Sequence, residues 1–155
     1  MARLILASSS PRRRELLEQL GLVFDIYSPD IDESVQVGEP VAHYVERLAC
    51  AKAEAVQLQY PDAIVIAADT SLGVDQEILG KPESKQHAFE MWEKISGRKH
   101  DVYTAVCVRT NTQISSIVVR TEVEFQHLSP NDMEAYWATS EPIGKAGAYA
   151  IQGIA

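Results

Sequence analysis

Leu4–Leu17 reads Leu-Ile-Leu-Ala-Ser-Ser-Ser-Pro-Arg-Arg-Arg-Glu-Leu-Leu, and this stretch decides how the fold begins. It opens with an apolar run of strand length, which three serines, a proline and three arginines follow. Pro11 suits the first position of a helix, and Ser10 suits the N-cap before it. The predicted apolar stripe of this helix is Leu16, Leu17 and Leu20, and its predicted stop is Gly21. The stretch therefore predicts a strand, a hydroxyl-rich turn and a helix with a cationic first turn.

The arginines at this helix start are unusual. Free backbone N–H groups at a helix N-terminus already favour anions, so cationic side chains are out of place there unless an anion binds. Ser8, Ser10, Arg12 and Arg13 together predict a cradle for a polyphosphate. The alternative is a solvated basic turn, and placement alone leaves both interpretations open.

The composition is that of one globular domain. The chain has 155 residues, of which 46% are apolar and 23% are charged, and this is enough for a sizeable core. There are 14 basic and 22 acidic residues, and the resulting net charge of −8 argues against a nucleic-acid duplex as partner. Cys50 and Cys107 lack a metal-like spacing and are predicted to be reduced. The sequence has no signal peptide and no apolar stretch of membrane-spanning length, so we expect a cytoplasmic protein with no membrane partner.

Two charged features interrupt the next elements. Leu22–Ser28 predicts a second strand, and Asp30-Ile31-Asp32-Glu33 follows in a predicted loop. Such a carboxylate cluster is solvated in most proteins, but beside a phosphate it suits Mg²⁺. A long helix is then predicted over Pro40–Tyr60, with Lys52 on its apolar stripe. A charge on that stripe either snorkels to solvent or meets an anion, and the sequence leaves both open.

The best-placed carboxylate follows the most apolar run. Ala63–Ala68 reads Ala-Ile-Val-Ile-Ala-Ala, the pattern of a strand buried on both faces. We predict that it ends at Asp69-Thr70, and ligands collect at the carboxyl ends of strands in open α/β sheets. Asp69 is therefore a candidate site residue, with a turn or capping role as the alternative. The remaining predicted elements are a hairpin over Ser71–Leu79 that leads to Gly80-Lys81-Pro82, a helix capped by Ser84 and stopped by Gly97, a hairpin of His100–Thr110 with Ile114–Phe125, a helix that begins at Ser129-Pro130, and a short strand Ala148–Ile151 closed by Gln152-Gly153.

These pieces resemble the Maf-type nucleoside triphosphate pyrophosphatases over nearly the whole chain. The motifs that carry the resemblance are Leu-Ala-Ser-Ser-Ser-Pro-Arg-Arg (Leu6–Arg13), Asp32-Glu33, Arg47-Leu48-Ala49 with Lys52, Ala68-Asp69-Thr70, Gly80-Lys81-Pro82, Ser96-Gly97, Tyr103-Thr104, Lys145–Tyr149 and Ile151-Gln152-Gly153. Their order and spacing, rather than any single motif, make the resemblance specific. The Asp-Thr pair and the Ala-Tyr-Ala-Ile-Gln-Gly run resemble the subgroup that acts on dTTP and UTP.

The resemblance implies an α/β fold with a mixed twisted sheet and two lobes around a cleft, similar to inosine triphosphate pyrophosphatases. It implies cleavage between the α and β phosphates with Mg²⁺ or Mn²⁺ as cofactor. Carried over residue by residue, Asp69 would be the general base, and Glu33 would hold the metal together with Asp69. Similar proteins are often homodimers. The residues that would bind the triphosphate are Ser8, Arg12, Arg13, Lys52 and Lys81, and those that would govern base choice are Arg13, Thr70 and Gln152.

Two alternatives and one departure accompany this prediction. The alternatives are a nucleotide-sensing regulator of cell division and the subgroup specific for 7-methyl-GTP. Asp69 and Glu33 favour the enzyme, because sensing a triphosphate needs cations but no base. Family members usually continue beyond the glutamine-glycine motif with a further strand and helix, so residues 1–155 are expected to form a single domain that lacks this C-terminal segment.

Overall fold

A computed structural model of the chain, which describes residues 2–155, has a mixed α/β architecture. Its strands form one sheet in the order β2-β1-β3-β5-β6, with β4 paired to β3. This confirms the α/β fold class. The elements in chain order are β1 Leu4–Leu6, α1 Pro11–Gln19, β2 Asp25–Ile26, α2 Val41–Gln59, β3 Ile64–Val74, β4 Glu77–Leu79, α3 Lys85–Ile95, β5 Lys99–Arg109, β6 Ile114–Glu124, α4 Pro130–Ala138 and a short 3-10 helix Ala146–Ala148.

The chain divides into two compact units whose boundaries fall inside β3, β5 and β6. The first unit runs to Asp69 and includes Thr104–Val119, and the second comprises Thr70–Tyr103 and Arg120–Ala155. Within residues 2–155, none of the helices combines the length and the apolarity needed to cross a bilayer.

The first unit is built on a parallel arrangement of its short strands. β1 pairs parallel with both β2 and β3, with Ile5 opposite Val65 in the second pairing. The predicted apolar stripe of α2 is confirmed, since residues on it, among them Val45 and Leu48, are buried. Both cysteines are free, Cys107 buried and Cys50 partly exposed.

Two predictions for the beginning of the chain need correction. α1 begins at Pro11 with Ser10 as N-cap, as predicted, but none of its residues is buried. The expected apolar stripe is wrong, since Leu20 is 72% exposed. The first turn of this helix instead makes a polar contact with β3, from Arg13 to the Ala68 carbonyl. The second strand shortens from Leu22–Ser28 to the two residues of β2.

β3 does not end where the sequence predicted. It continues through Asp69 to Val74, because the residues after Asp69 suit extended backbone and pair antiparallel with β4, with Leu72 opposite Leu79. The hairpin turn is the predicted one at Asp75-Gln76, where both residues have positive φ angles of 50° and 62°. Such angles are those of a type I′ turn. Asp69 therefore lies within a long strand rather than at its end.

The second unit has its own apolar core. Trp92 is at its centre and donates its indole N–H to the Ala148 carbonyl at 3.2 Å. The core also contains Leu72, Val74, Leu79, Ala88, Met91, Ile95, Met133, Ala148 and Tyr149. The predicted caps are confirmed, since Ser84 and Ser129 each accept a backbone N–H from the third residue of their helix.

The predicted strand Ala148–Ile151 is wrong. The chain there forms a 3-10 helix over Ala146–Ala148 and then turns. Gly147 has φ +68°, and a Cβ at this position would lie 2.3 Å from the Leu72 side chain, so the backbone passes closer to the core than a strand with side chains could. Tyr149 packs its ring edge-on against His100 and Phe125.

The burial of α2 gives a first prediction. Leu48 is 1% exposed, whereas Leu58 on the same helix is 75% exposed. Leu48→Ala is expected to lower the free energy of unfolding by about 2–5 kcal/mol, because it removes buried methyl groups and leaves a cavity. Leu58→Ala is the matched control, with an expected change within about 0.5 kcal/mol. Urea unfolding followed by circular dichroism measures the free energy of unfolding of each variant. Equal effects of the two substitutions would contradict the burial of Leu48 in the core.

Candidate functional site

Lys52 joins two carboxylates from different parts of the first unit. Its Nζ lies 2.9 Å from Asp69 Oδ1 on β3 and 3.1 Å from Glu33 Oε1 in the loop before α2. The Lys52 side chain is only 14% exposed. The lysine on the apolar stripe therefore meets anions rather than reaching past them to solvent.

Asp69 is a buried carboxylate with one oxygen in use. The residue is 7% exposed, and Oδ1 receives the hydrogen bond from Lys52. Oδ2 is buried and has no hydrogen-bond partner among residues 2–155. Burial raises the pKa of Asp69 above its ordinary value, Lys52 and Arg13 oppose this rise, and Glu33 adds to it. A buried carboxylate oxygen without a partner is costly, so this atom suits an incoming ligand or a proton.

Arg13 points inward from the first turn of α1. Its Nη1 donates to the Ala68 carbonyl at 3.0 Å and to Ser8 Oγ at 3.3 Å. Burial lowers the pKa of the Arg13 guanidinium, an effect that Asp69 and Glu33 oppose. Ser8 is itself buried. The structure therefore brings Ser8, Arg13, Lys52, Asp69 and Glu33 together in one unit.

Arg12 takes a different position from its neighbour. Its side chain is 50% exposed and lies 3.5 Å from Glu15 in an i,i+3 pair on α1. Ser10 is occupied as the N-cap and accepts the backbone N–H of Arg13 at 3.4 Å. Of the two arginines predicted for the cradle, one is therefore inside it and one is at the surface.

Glu33 lies in a loop that α2 holds from the side. Residues 27–40 form no helix or strand, yet the Tyr44 hydroxyl donates to the Glu33 carbonyl at 2.6 Å and Arg47 Nη2 donates to the Ser34 carbonyl at 2.9 Å. Sequence reasoning gave Tyr44 and Arg47 no role. The available signal was their i,i+3 spacing in the first turns of a helix that directly follows an acidic loop.

The two carboxylates at Lys52 fit a divalent cation that brings most of its ligands with it. Among residues 2–155, the buried oxygen Asp69 Oδ2 has no hydrogen-bond partner, and Glu33 supplies a second carboxylate at Lys52. Residues 2–155 contain no group of three or more His, Cys, Asp or Glu side chains that could hold a metal ion. Mg²⁺ is commonly bound by one or two carboxylates plus water and phosphate oxygens, so two protein ligands are sufficient.

Three predicted site residues belong to the second unit. Thr70 follows Asp69 on β3 and is partly buried, whereas Lys81 and Gln152 are exposed. Lys81 is in the loop after β4, and Gln152 is in a turn after the 3-10 helix. The Gly147 N–H donates to the Gly80 carbonyl at 2.9 Å, so a backbone hydrogen bond links the segments that carry these two side chains.

Comparisons with known proteins identify the family of this chain. The family described as Maf-like protein matches residues 3–155. A dTTP/UTP pyrophosphatase of Acinetobacter baylyi is 64% identical over 150 residues, which cover 97% of this chain and 82% of the relative. A dTTP/UTP pyrophosphatase of Moorella thermoacetica is 51% identical over 155 residues, which cover 99% of this chain and 80% of the relative.

One solved structure supports the fold alone. The Ham1 protein of Staphylococcus aureus matches with a TM-score of 0.56 at 15% identity, over 78% of this chain and 69% of that one. This likeness supports the α/β fold of the chain and nothing beyond the fold.

The raised pKa of Asp69 gives a prediction for stability against pH. A carboxyl whose pKa is higher in the folded state binds its proton more tightly there, so ionising it destabilises the fold as pH rises above the ordinary value near 4. Asp69→Asn cannot ionise, so its melting temperature relative to that of the wild type is expected to rise between pH 4 and 7, by about 2–4 °C for each kcal/mol gained. The rise should level off towards pH 3.5, where Asp69 is mostly protonated in both states.

Differential scanning fluorimetry between pH 3.5 and 8 measures this effect. Asp62→Asn is the matched control, because Asp62 is exposed and its substitution should leave the pH profile unchanged. A difference in melting temperature between Asp69→Asn and the wild type that does not change with pH would contradict the raised pKa of Asp69.

Proposed function

The chain belongs to the Maf-like protein family, and from this membership we propose that it is a nucleoside triphosphate pyrophosphatase that hydrolyses dTTP and UTP. The observation that carries the proposal is the cluster of Lys52, Asp69 and Glu33, in which the buried oxygen Asp69 Oδ2 has no hydrogen-bond partner in the described part of the chain. The relatives named dTTP/UTP pyrophosphatase support the substrate class. An acidic chain with a local basic cradle suits a small phosphorylated ligand better than a nucleic acid.

The proposed reaction is attack of water on the α-phosphorus. A new P–O bond forms from the water oxygen, and the bond between the α-phosphorus and the oxygen that bridges to the β-phosphorus breaks. The products are the nucleoside monophosphate and pyrophosphate. Asp69 accepts the proton that the water loses, and its raised pKa makes it a stronger base than an exposed aspartate.

The cations of the site bind and orient the triphosphate. Arg13 and Lys52 are held inside the first unit, where their charges are little screened by water. Arg12 and Lys81 are exposed and would add charge from the surface. The Ser8 hydroxyl offers a hydrogen bond beside Arg13. Positioning and neutralisation of this kind supply most of the catalysis in phosphoryl transfer.

Glu33, together with Asp69, would hold the divalent cation, for which we propose Mg²⁺ or Mn²⁺. When bound, such a cation stabilises the negative charge that develops on the phosphates and lowers the pKa of coordinated water. Lys52 contributes before the substrate arrives, because its ammonium offsets the repulsion between the two carboxylates.

Base choice is proposed to depend on Arg13, Thr70 and Gln152. A carboxamide offers both a donor and an acceptor, and uracil and thymine both present an N–H flanked by carbonyls. Gln152 can therefore pair with either base, and exposure leaves its side chain accessible. We further propose a cytoplasmic location, which the two free thiols support, since free cysteines are typical of reducing compartments. A homodimer stays a prediction of the family resemblance.

A panel of nucleoside triphosphates tests the activity. With Mg²⁺ or Mn²⁺ present, dTTP and UTP are expected to give monophosphate and pyrophosphate with a kcat/KM at least tenfold above those for GTP, ATP and 7-methyl-GTP. Ion-exchange chromatography separates the products. Release of inorganic phosphate instead of pyrophosphate would contradict cleavage at the α-phosphorus, and binding of UTP without turnover would favour the nucleotide-sensing regulator.

The proposed base gives a separate kinetic prediction. Asp69→Asn keeps the size of the side chain but removes the proton acceptor, a role worth about 10²–10⁴-fold in rate. Its kcat for UTP is expected to fall by that factor while KM changes by less than about threefold. Asp62→Asn again serves as the control. An Asp69→Asn enzyme with wild-type kcat would exclude Asp69 as the base.

A further inference from the structure

The loop that carries Glu33 is fixed by two side chains from outside it. Residues 27–40 form no helix or strand, so the loop has no ladder of backbone hydrogen bonds to hold it. Tyr44 and Arg47 instead donate to the consecutive carbonyl groups of Glu33 and Ser34, at 2.6 and 2.9 Å. The two donors are three positions apart on α2, a spacing at which helical side chains are neighbours.

Arg47 is in turn held by a carboxylate at the end of the same loop. Its Nε and Nη2 lie 2.7 and 2.8 Å from the two oxygens of Glu39, a bidentate pair. The Glu39 side chain is 2% exposed, and it also accepts the Gln36 N–H at 3.1 Å and contacts His43 Nδ1 at 2.7 Å. The hydrogen bonds from Arg47 lower the pKa of Glu39 to about 2, so this carboxylate is charged near neutral pH.

These hydrogen bonds hold the backbone of the loop at Glu33, the residue whose carboxylate belongs to the candidate site. The Glu33 carboxylate is about half exposed, and it forms an ion pair with Lys52. The position of such a carboxylate depends on where its backbone is held, because ordering the backbone and ordering the side chain are separate entropic costs. Tyr44 and Arg47 fix it immediately at Glu33 and at the next residue, while Lys52 sets the direction of the carboxylate.

We propose that Tyr44 and Arg47 are positioning residues for Glu33, and that they set the affinity of the site for its divalent cation. The inference rests on the proposed function, in which Glu33 is a metal ligand. Residues that orient a metal ligand typically change metal affinity or activity by about 10–100-fold when they are replaced. Neither side chain touches the substrate or the reacting atoms in this proposal.

The test uses the full chain with Tyr44→Phe and Arg47→Gln. Tyr44→Phe keeps the buried ring and removes the hydroxyl, so it isolates the hydrogen bond to Glu33. The matched control for Arg47→Gln is Arg98→Gln in the second unit. Arg98 also forms a bidentate pair, with Asp75 at 2.6 and 2.7 Å, and also donates to a backbone carbonyl, that of Lys94 at 3.2 Å.

Two readouts are independent of turnover. Each protein is titrated with Mn²⁺ alone, and the electron paramagnetic resonance signal of free Mn²⁺ gives the dissociation constant. We expect this constant to rise by about 10-fold or more for Arg47→Gln, by less for Tyr44→Phe, and to stay within about twofold of the wild type for Arg98→Gln. Hydrogen exchange of the peptide covering residues 30–39 should be faster in the first two variants and unchanged in the third. In kinetic assays, the Mn²⁺ concentration that gives half-maximal rate should rise most for Arg47→Gln, less for Tyr44→Phe and little for Arg98→Gln.

The result that overturns the inference is wild-type Mn²⁺ affinity and wild-type exchange in Tyr44→Phe and Arg47→Gln, in a series where Glu33→Gln binds Mn²⁺ more weakly. Loss of metal affinity in Arg98→Gln to the same extent would overturn it too, because the effect would then be one of general stability. Wild-type Mn²⁺ binding and turnover in Glu33→Gln is a different outcome, and it would remove the metal site of the proposed function itself. If Arg47→Gln does not fold, Tyr44→Phe alone decides.

Discussion

The ammonium of Lys52 is the contact on which the candidate site depends. It lies on α2, and its two partners lie on β3 and in the loop before α2, at 2.9 and 3.1 Å. Two carboxylates brought this close without a cation would repel each other, and the buried Asp69 would carry an uncompensated charge. Lys52 offsets both effects, so a lysine from one helix allows a strand and an irregular loop to place their carboxylates in the same small volume.

Features that depend on neighbouring residues could be predicted from the sequence. The 3.6-residue period gave α2 to within one residue at each end, the serines gave the helix caps, and Asp75-Gln76 gave the hairpin turn. Asp69 was chosen as a candidate site residue on a partly wrong premise about the strand. The apolar run before it was correctly assigned to a buried strand, but the strand continues because pairing with β4 outweighs the polar residues that follow. Asp69 can therefore lie next to the parallel part of the sheet even though β3 does not end at Asp69.

Features that depend on distant partners could not be predicted. No local pattern indicates which carbonyl groups Tyr44 and Arg47 reach, because these contacts depend on the path of the loop in front of α2. The segment around Tyr149 reads as a strand by composition. Its conformation is instead set by a buried cluster with His100 and Phe125, together with the close approach of Gly147 to Leu72. In both places tertiary packing decides between local conformations that the sequence leaves nearly equal.

The charged groups of the site are held in a state that burial disfavours. Burial raises the pKa of Asp69 and lowers the pKa of Arg13, which means that the ionised form of each is less favourable in the folded protein than in water. A protein retains such groups where a ligand restores what burial removes. A triphosphate alone would stabilise the charge of Arg13 but would oppose that of Asp69, and a free cation would do the reverse. In the proposed function, a metal–triphosphate complex presents both signs at once, which suits the opposite pKa shifts of these two side chains.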